Sequence, residues 1–312
     1  MIYLLISLFF SIPSLCVYAL TVFLIIRHWK SLKTSFFQLY VFEFIVNLVT
    51  YFNSIVSIRI PNSVGAESIL SSHFANQTET TFSLQLQLAL QFHMAFVQYG
   101  VALLISLNRM TIIIKMNFFA EKWLKYGRVL MILVVFVPSI ATFPFFFNEV
   151  YFKYIESGDR YQLTSDYNIS SLFTIVFLVL CIVTVLASVF NAVTLLMIKR
   201  LVFLPKNLAL VNVASDYQYF LVSVCSTVVL IIGTVITFAM RIAEKNSYLY
   251  NATNALLPFV TDLLSLHQPF VLMIFSPRIR EVVLRMVCRI VCCDCCKDPP
   301  TKTVVNNTSG TT

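Results

Sequence analysis

Seven stretches of the chain run through apolar residues almost without interruption: Ile2–Ile26, Phe36–Ile58, Phe82–Leu107, Val129–Phe147, Ser171–Ile198, Tyr217–Phe238 and Ala255–Phe275. Crossing a hydrocarbon core of about 30 Å takes roughly 20 residues of helix, and each stretch is of that order. A β-barrel would alternate apolar and polar positions over shorter strands. These runs do not alternate, so membrane-spanning helices are the predicted elements. Ile2–Ile26 has no basic region ahead of it and is followed by Arg27, His28 and Lys30. It therefore reads as a retained first helix rather than a cleaved signal peptide. Val129–Phe147 is the shortest run and carries Pro138 and Pro144, which membrane helices tolerate where neighbours satisfy the freed carbonyls. The predicted fold class is an all-α membrane protein, a seven-transmembrane helix bundle over residues 1–275.

Composition narrows the picture further. Of 312 residues, 59% are hydrophobic and 12% charged, whereas soluble domains carry about 25% charged residues. Soluble enzymes, disordered chains and disulfide scaffolds are excluded as the main reading. The net charge of +8 is not a nucleic-acid signal, because the cations collect in alternate loops. Counting the loops after the odd and even runs, 17 of the 22 Lys and Arg residues fall on one side and 5 on the other. Basic loops stay in the cytoplasm, which puts the N-terminus outside and the C-terminus inside, as in a multi-pass plasma-membrane protein. On this count Arg59 belongs to an outer loop and no Lys or Arg enters a span. The sequons at Asn76, Asn168 and Asn251 fall on the outer side as candidate glycosylation sites.

Beyond the last run, Ile279, Val282, Val283, Met286, Val287, Ile290 and Val291 recur at helical spacing, with Arg278, Arg280, Arg285 and Arg289 mostly off that face. Such a basic amphipathic helix, within residues 276–297, is expected along the anionic inner leaflet of the lipid bilayer. Cys292, Cys293, Cys295 and Cys296 follow. Palmitoylation would pin the helix to the membrane; a zinc site is the competing reading, and one compact group without a second ligand pair makes a poor zinc cage. Residues 298–312 read as a disordered tail.

Two acids, Glu43 and Asp262, lie within the runs. An ionisable group at that depth is expensive and points to function, although interhelical bonding that only holds the bundle is the plainer reading. Glu43 sits about 10 Å of rise from the cytoplasmic start of its helix and Asp262 about 20 Å above that boundary. That offset makes Asn47, one turn above Glu43, the reachable partner for Asp262. The three form a candidate intramembrane polar cluster. In the third run Gln87, Gln91, Met94 and Gln98 share one helical face, which suits the wall of a small-molecule ligand cavity or, equally, contacts between helices. The four histidines share no ligand spacing, and no metal or cofactor is implied.

Ser106-Leu107-Asn108-Arg109-Met110-Thr111, followed by Ala120-Glu121-Lys122-Trp123, together with Tyr51-Phe52-Asn53-Ser54 and Ser57-Ile58-Arg59-Ile60-Pro61, resembles the nematode serpentine receptor class gamma chemoreceptors. The resemblance spans most of the chain. It implies a G-protein-coupled receptor without enzymatic activity, taking a small-molecule cue outside and a heterotrimeric G protein inside. It would place Asn108, Arg109, Lys122, Trp123, Lys199 and Arg200 at the coupling end. Against rhodopsin-like receptors, Asn108 replaces the acid before Arg109, and Gln268-Pro269 stands near the usual Asn-Pro of the seventh helix. The usual disulfide from the third helix to the second outer loop has no cysteines to form it. A transporter or channel is the alternative, weakened by the odd number of spans and the lack of an internal repeat. An intramembrane enzyme would have to use Glu43 and Asp262, whose depths differ.

Overall fold

A computed structural model of the chain describes residues 2–32, 34–77, 79–202, 210–243, 247–277, 279–281 and 283. Most of the predicted amphipathic helix, the Cys292–Cys296 cluster and residues 298–312 lie outside them. Helix α1 is Ile2–Arg27, and α2 is Ser35–Ser54, carried on by a π-helical turn Ile55–Arg59 and a last turn Ile60–Ser63. Helix α3 runs Phe82–Ile114 and α4 Met116–Phe136, the latter followed by a turn at Ser139–Thr142 and a 3-10 segment Phe143–Phe147. Helices α5, Ile169–Val202, and α6, Leu210–Ile242, come next, then α7, Tyr248–Leu266, and α8, Gln268–Phe275.

Among the described residues, six helices are long and apolar enough to span a membrane, and seven if α7 and α8, bent by 41° between Leu266 and Gln268, are one span. Proline removes a donor and forces the preceding turn open, which accounts for the bend. Thr34 and Thr81 cap α2 and α3, their hydroxyls accepting from the Phe37 and Leu84 amides at 3.4 Å. The outward faces are apolar: Phe9, Phe136, Ile140 and Val185 are all more than 60% exposed. Water would not tolerate that belt, and lipid does.

Two large cores, and a small cluster of Leu180, Val183, Ala187 and Leu230, divide the bundle among the described residues. One packs Tyr18, Phe36, Tyr40, Val101, Tyr219 and Leu272, at what we term the tail end. Helical residues after Pro277 add Ile279, 1% exposed, and Val283 to this core. The apolar face of that segment thus begins by docking on the bundle rather than on lipid. The other core, at the opposite end, packs Phe74, Phe92, Phe145, Phe152, Tyr161 and Leu172.

This second core includes an antiparallel hairpin of β1, Val150–Ile155, and β2, Arg160–Ser165, with Val150 opposite Ser165 and Ile155 opposite Arg160. Its alternate residues Val150, Phe152, Tyr161 and Leu163 are buried, as a strand with one covered face requires. The tip turns through Asp159 at φ 43°, a left-handed conformation that Asp adopts more readily than most residues. The hairpin is tied down without a disulfide. Gln85 donates to the Phe146 and Asn148 carbonyls at 3.3 and 3.2 Å, and the Val150 amide donates to Thr80 at 3.0 Å. At the tip the Asp159 carboxylate accepts from the Ala66 amide at 2.8 Å and the Tyr154 hydroxyl at 2.7 Å. Those bonds hold the Asp159 carboxyl below its usual range, the Ala66 amide contributing most, and push the Tyr154 phenol up to about 12.

Candidate functional site

Beneath the hairpin lies a cavity of about 620 Å³, lined by Ser57, Asn62, Arg160, Gln162, Phe177 and Arg241 among others. Beside it is a second cavity of about 130 Å³ between α2, α3, α5, α6 and α7, where Thr50, Asn53, Gln98, Tyr99 and Leu264 stand. Ile58, Gln91, Phe173 and Thr237 belong to both walls, so the two adjoin. Of the α3 stripe, Gln91 and Gln98 line this space. Gln87 instead donates to Ser83 on its own helix at 3.2 Å, and Met94 packs against the tail-end core. A polar-walled pocket with an aromatic floor suits a small amphipathic molecule.

Three polar stations follow one another at three-residue steps along the seventh span, at Asp262, Ser265 and Gln268. The Asp262 carboxylate pairs with both terminal nitrogens of the Arg59 guanidinium, the resolved contact to Nη1 being 3.0 Å. Ser7 of α1 donates to the same carboxylate at 2.9 Å and accepts from Arg59. Arg59 also lies 5.3 Å from the Tyr51 ring centroid, and the Tyr51 hydroxyl bonds Ser11. Charge-assisted, forked contacts of this kind are the strong ones. At the second station Gln98 donates to Ser265 at 2.9 Å and to Asn47 at 2.8 Å. At the third, Gln268 donates to Glu43 at 2.6 Å and to Ser226 at 3.4 Å.

The expected cluster of Glu43, Asn47 and Asp262 is therefore three separate contacts. Asp262 does not bond Asn47 as expected, because a guanidinium is within reach and outcompetes a neutral amide. Arg59, assigned by sequence to a loop, is 5% exposed inside the bundle. It is the residue that sequence reading missed. The signal was available: an acid within a span needs a partner, and Arg59 follows the second apolar run by one residue. The π turn at Ile55–Arg59 adds a residue per turn and so changes the direction of the helix's last side chains.

At the tail end, Arg109 is 3% exposed. Its guanidinium lies 4.7 Å from the Phe36 ring centroid and 5.3 Å from that of Tyr219, and those rings stack at 4.5 Å. Asn108 accepts from Arg109 at 2.8 Å and donates to Ser35 at 2.9 Å. A neutral acceptor and two aromatic faces thus stand against the Arg109 guanidinium. Trp123 is buried and donates to Thr111 at 2.8 Å; the expectation that it faces a partner does not hold in this packing. Lys122, Lys199 and Arg200 are exposed at this end.

The candidate glycosylation residues also take structural places. Asn76 is exposed just after the short helix Ser71–Ala75, with Thr78 of its sequon outside the described residues. Asn168, also exposed, accepts from the Ser171 amide at 3.1 Å and caps α5, while Asn251 lies within α7. Among the described residues no three His, Cys, Asp or Glu side chains gather to hold a metal.

Comparison with known proteins follows the same lines. A family model described as Srg family chemoreceptor matches residues 4–283. The chain is also 30% identical to "Serpentine receptor class gamma-31" of Caenorhabditis elegans over 284 residues, 86% of this chain and 87% of that relative.

Proposed function

The chain belongs to the Srg family of chemoreceptors, and from that premise we propose that it binds a small-molecule cue at the hairpin end and signals to a heterotrimeric G protein from the tail end. The observation that carries this reading is the pair of adjoining cavities that share Gln91, Phe173 and Thr237 in their walls. They reach from the hairpin to within one hydrogen bond of the polar stations, since Gln98 lines the inner cavity and also bonds Ser265 and Asn47. A ligand seated there touches α2, α3, α5, α6 and α7 at once, and a ligand that fits one packing of these helices better than another shifts the population between them. At the far end that shift frees Arg109 from its aromatic cage, and Lys122, Lys199 and Arg200 give the G protein a basic rim.

The 17-to-5 bias of Lys and Arg supports a plasma-membrane orientation with the hairpin outside and the tail inside. In that orientation Asn76 and Asn168 are open to glycosylation, and acylated Cys292, Cys293, Cys295 and Cys296 would anchor the C-terminal segment to the inner leaflet. The test is a ligand screen in heterologous cells read by calcium or cyclic nucleotide. An active compound is expected to lose its response in Arg109→Ala while keeping its binding. Full coupling in that variant overturns the role of Arg109, and antibody staining of a C-terminal tag on intact cells overturns the orientation.

A further inference from the structure

Resting on the reading of the adjoining cavities as the ligand site, we infer that the inner cavity takes a neutral hydrogen-bond donor, a small aliphatic alcohol. The direction of two side-chain amides carries this. Asn53 of α2 donates from Nδ2 to the backbone carbonyl of Gln87 in α3 at 3.0 Å. A carbonyl can only accept, so that contact fixes the amide nitrogen toward Gln87 and leaves the Asn53 Oδ1 atom on the other side. Gln98 donates from Nε2 to Asn47 at 2.8 Å and to Ser265 at 2.9 Å, which uses both of its amide hydrogens. Asn47 in turn donates to the Tyr18 hydroxyl at 3.4 Å, so its oxygen is the atom that faces Gln98.

Asn53 and Gln98 both stand in the wall of the inner cavity and are half-buried. Among the described residues neither carbonyl oxygen accepts a hydrogen bond. Nor is either one sealed in the packing, unlike Oε2 of Glu43 and Oε1 of Gln268. Two acceptors on adjacent helices thus stay open beside donors already in use, and a bound molecule satisfies them by donating. An ether, ester or ketone has no proton to give, and a carboxylate would set its own lone pairs against theirs. An ammonium would bring an ion into a space backed by Phe92, Val176 and Leu264, at a desolvation cost that a neutral hydroxyl avoids. The cavity holds about 130 Å³, close to the volume of about 150 Å³ that accommodates benzene in an apolar protein cavity, which sets the apolar part at about six carbons.

Hexan-1-ol and methyl pentyl ether have the same heavy-atom count and differ in the hydroxyl proton. Each is titrated against the full-length receptor in phosphatidylcholine nanodiscs, with empty nanodiscs subtracted. The alcohol is expected to bind about tenfold more tightly, the effect of a hydrogen bond to an otherwise unmet acceptor. Asn53→Leu and Gln98→Met, made separately, are each expected to cut that preference severalfold and leave ether binding unchanged, which also shows that the variants are folded. Equal binding of the two probes, or a preference that neither substitution reduces, overturns the inference. Hexylamine, a cation at neutral pH, binding more tightly than hexan-1-ol overturns it in favour of a charged ligand. Ala95→Leu separates these failures from failure of the receptor-cavity reading, because the larger side chain takes up much of the inner space. If the cavity is the site, it weakens alcohol and ether alike with thermal unfolding unchanged. Binding of neither probe to the wild type, or binding indifferent to Ala95→Leu, overturns the cavity reading and this inference together.

Discussion

The two ends of the bundle solve opposite problems with the same kind of residue. At the hairpin end, Arg160 and Arg241 border open space and the walls between helices stay apart, leaving room of about 620 Å³ and 130 Å³. At the tail end, Arg109 is packed between Phe36 and Tyr219 at 3% exposure. The hairpin end leaves space between its helices, while the arginine of the tail end lies sealed under aromatic rings. The contrast teaches that this packing leaves room between helices at the hairpin end and closes over its arginine at the tail end. Between them runs the seventh span, whose Asp262, Ser265 and Gln268 each bond a different neighbour.

Breaking the first station gives the largest expected effect. Arg59→Met leaves the Asp262 carboxylate in the bundle without its cation, a loss of about 3 kcal/mol by analogy with other buried pairs from which one partner is removed. Thermal unfolding of the purified receptor should fall accordingly, by several degrees. Asp262→Leu added to Arg59→Met removes the stranded charge and is expected to recover most of the loss. A double variant no more stable than Arg59→Met would show that the pair is not the source of the effect.

The middle-sized effect sharpens the contrast at the tail end. Tyr219→Leu takes one ring from the cage, and a partly desolvated cation–π contact is worth about 1 to 2 kcal/mol. If the cage holds Arg109 back, ligand-free signalling rises by up to about tenfold. Phe36→Leu should do the same through the other ring. Unchanged basal signalling together with a weaker maximal response would mean that the rings support the active packing instead.

Much of this was legible in the sequence, for identifiable reasons. The seven runs mark the spans because a continuous apolar stretch is the one pattern a bilayer demands regardless of neighbours. The family could be read from motifs around Asn108, Arg109 and Trp123, and the family model that matches residues 4–283 is of that family. The pairing of side chains was not legible. Depth along a helix is known from sequence only to a few residues, and rotation about its axis is altered by a π turn such as Ile55–Arg59, which leaves no mark in hydropathy. So Asp262 was assigned the wrong partner and Arg59 the wrong side of the boundary. Trp123 misled for a related reason: its face is decided by Thr111, twelve residues earlier on another helix. The hairpin was missed because its alternation, Val150 and Phe152 against Tyr161 and Leu163, occupies only two short strands between much stronger signals.

The smallest effect concerns the hairpin tip, which is held by contacts at the surface. A Cβ placed on Gly65 would stand 2.3 Å from the Asp159 Oδ2 atom, so Gly65→Ala must push the carboxylate away from the Ala66 amide. The carboxyl of Asp159 is held below its usual range, and its contribution is present above the ordinary carboxylate range and lost as pH falls through the lowered value. Tyr154, raised to about 12, contributes below the ordinary tyrosine value and loses that contribution as pH rises through about 12. The latch should therefore be flat across neutral pH and open at either extreme. Protection of the Ala66 amide, measured by hydrogen exchange and corrected for intrinsic rate, is expected to drop severalfold in Gly65→Ala and in the wild type at acid pH, with helix protection and thermal unfolding of Gly65→Ala unchanged at neutral pH. Protection that is the same in Gly65→Ala would show that the tip is held by the Phe74, Phe152 and Tyr161 rings rather than by the carboxylate.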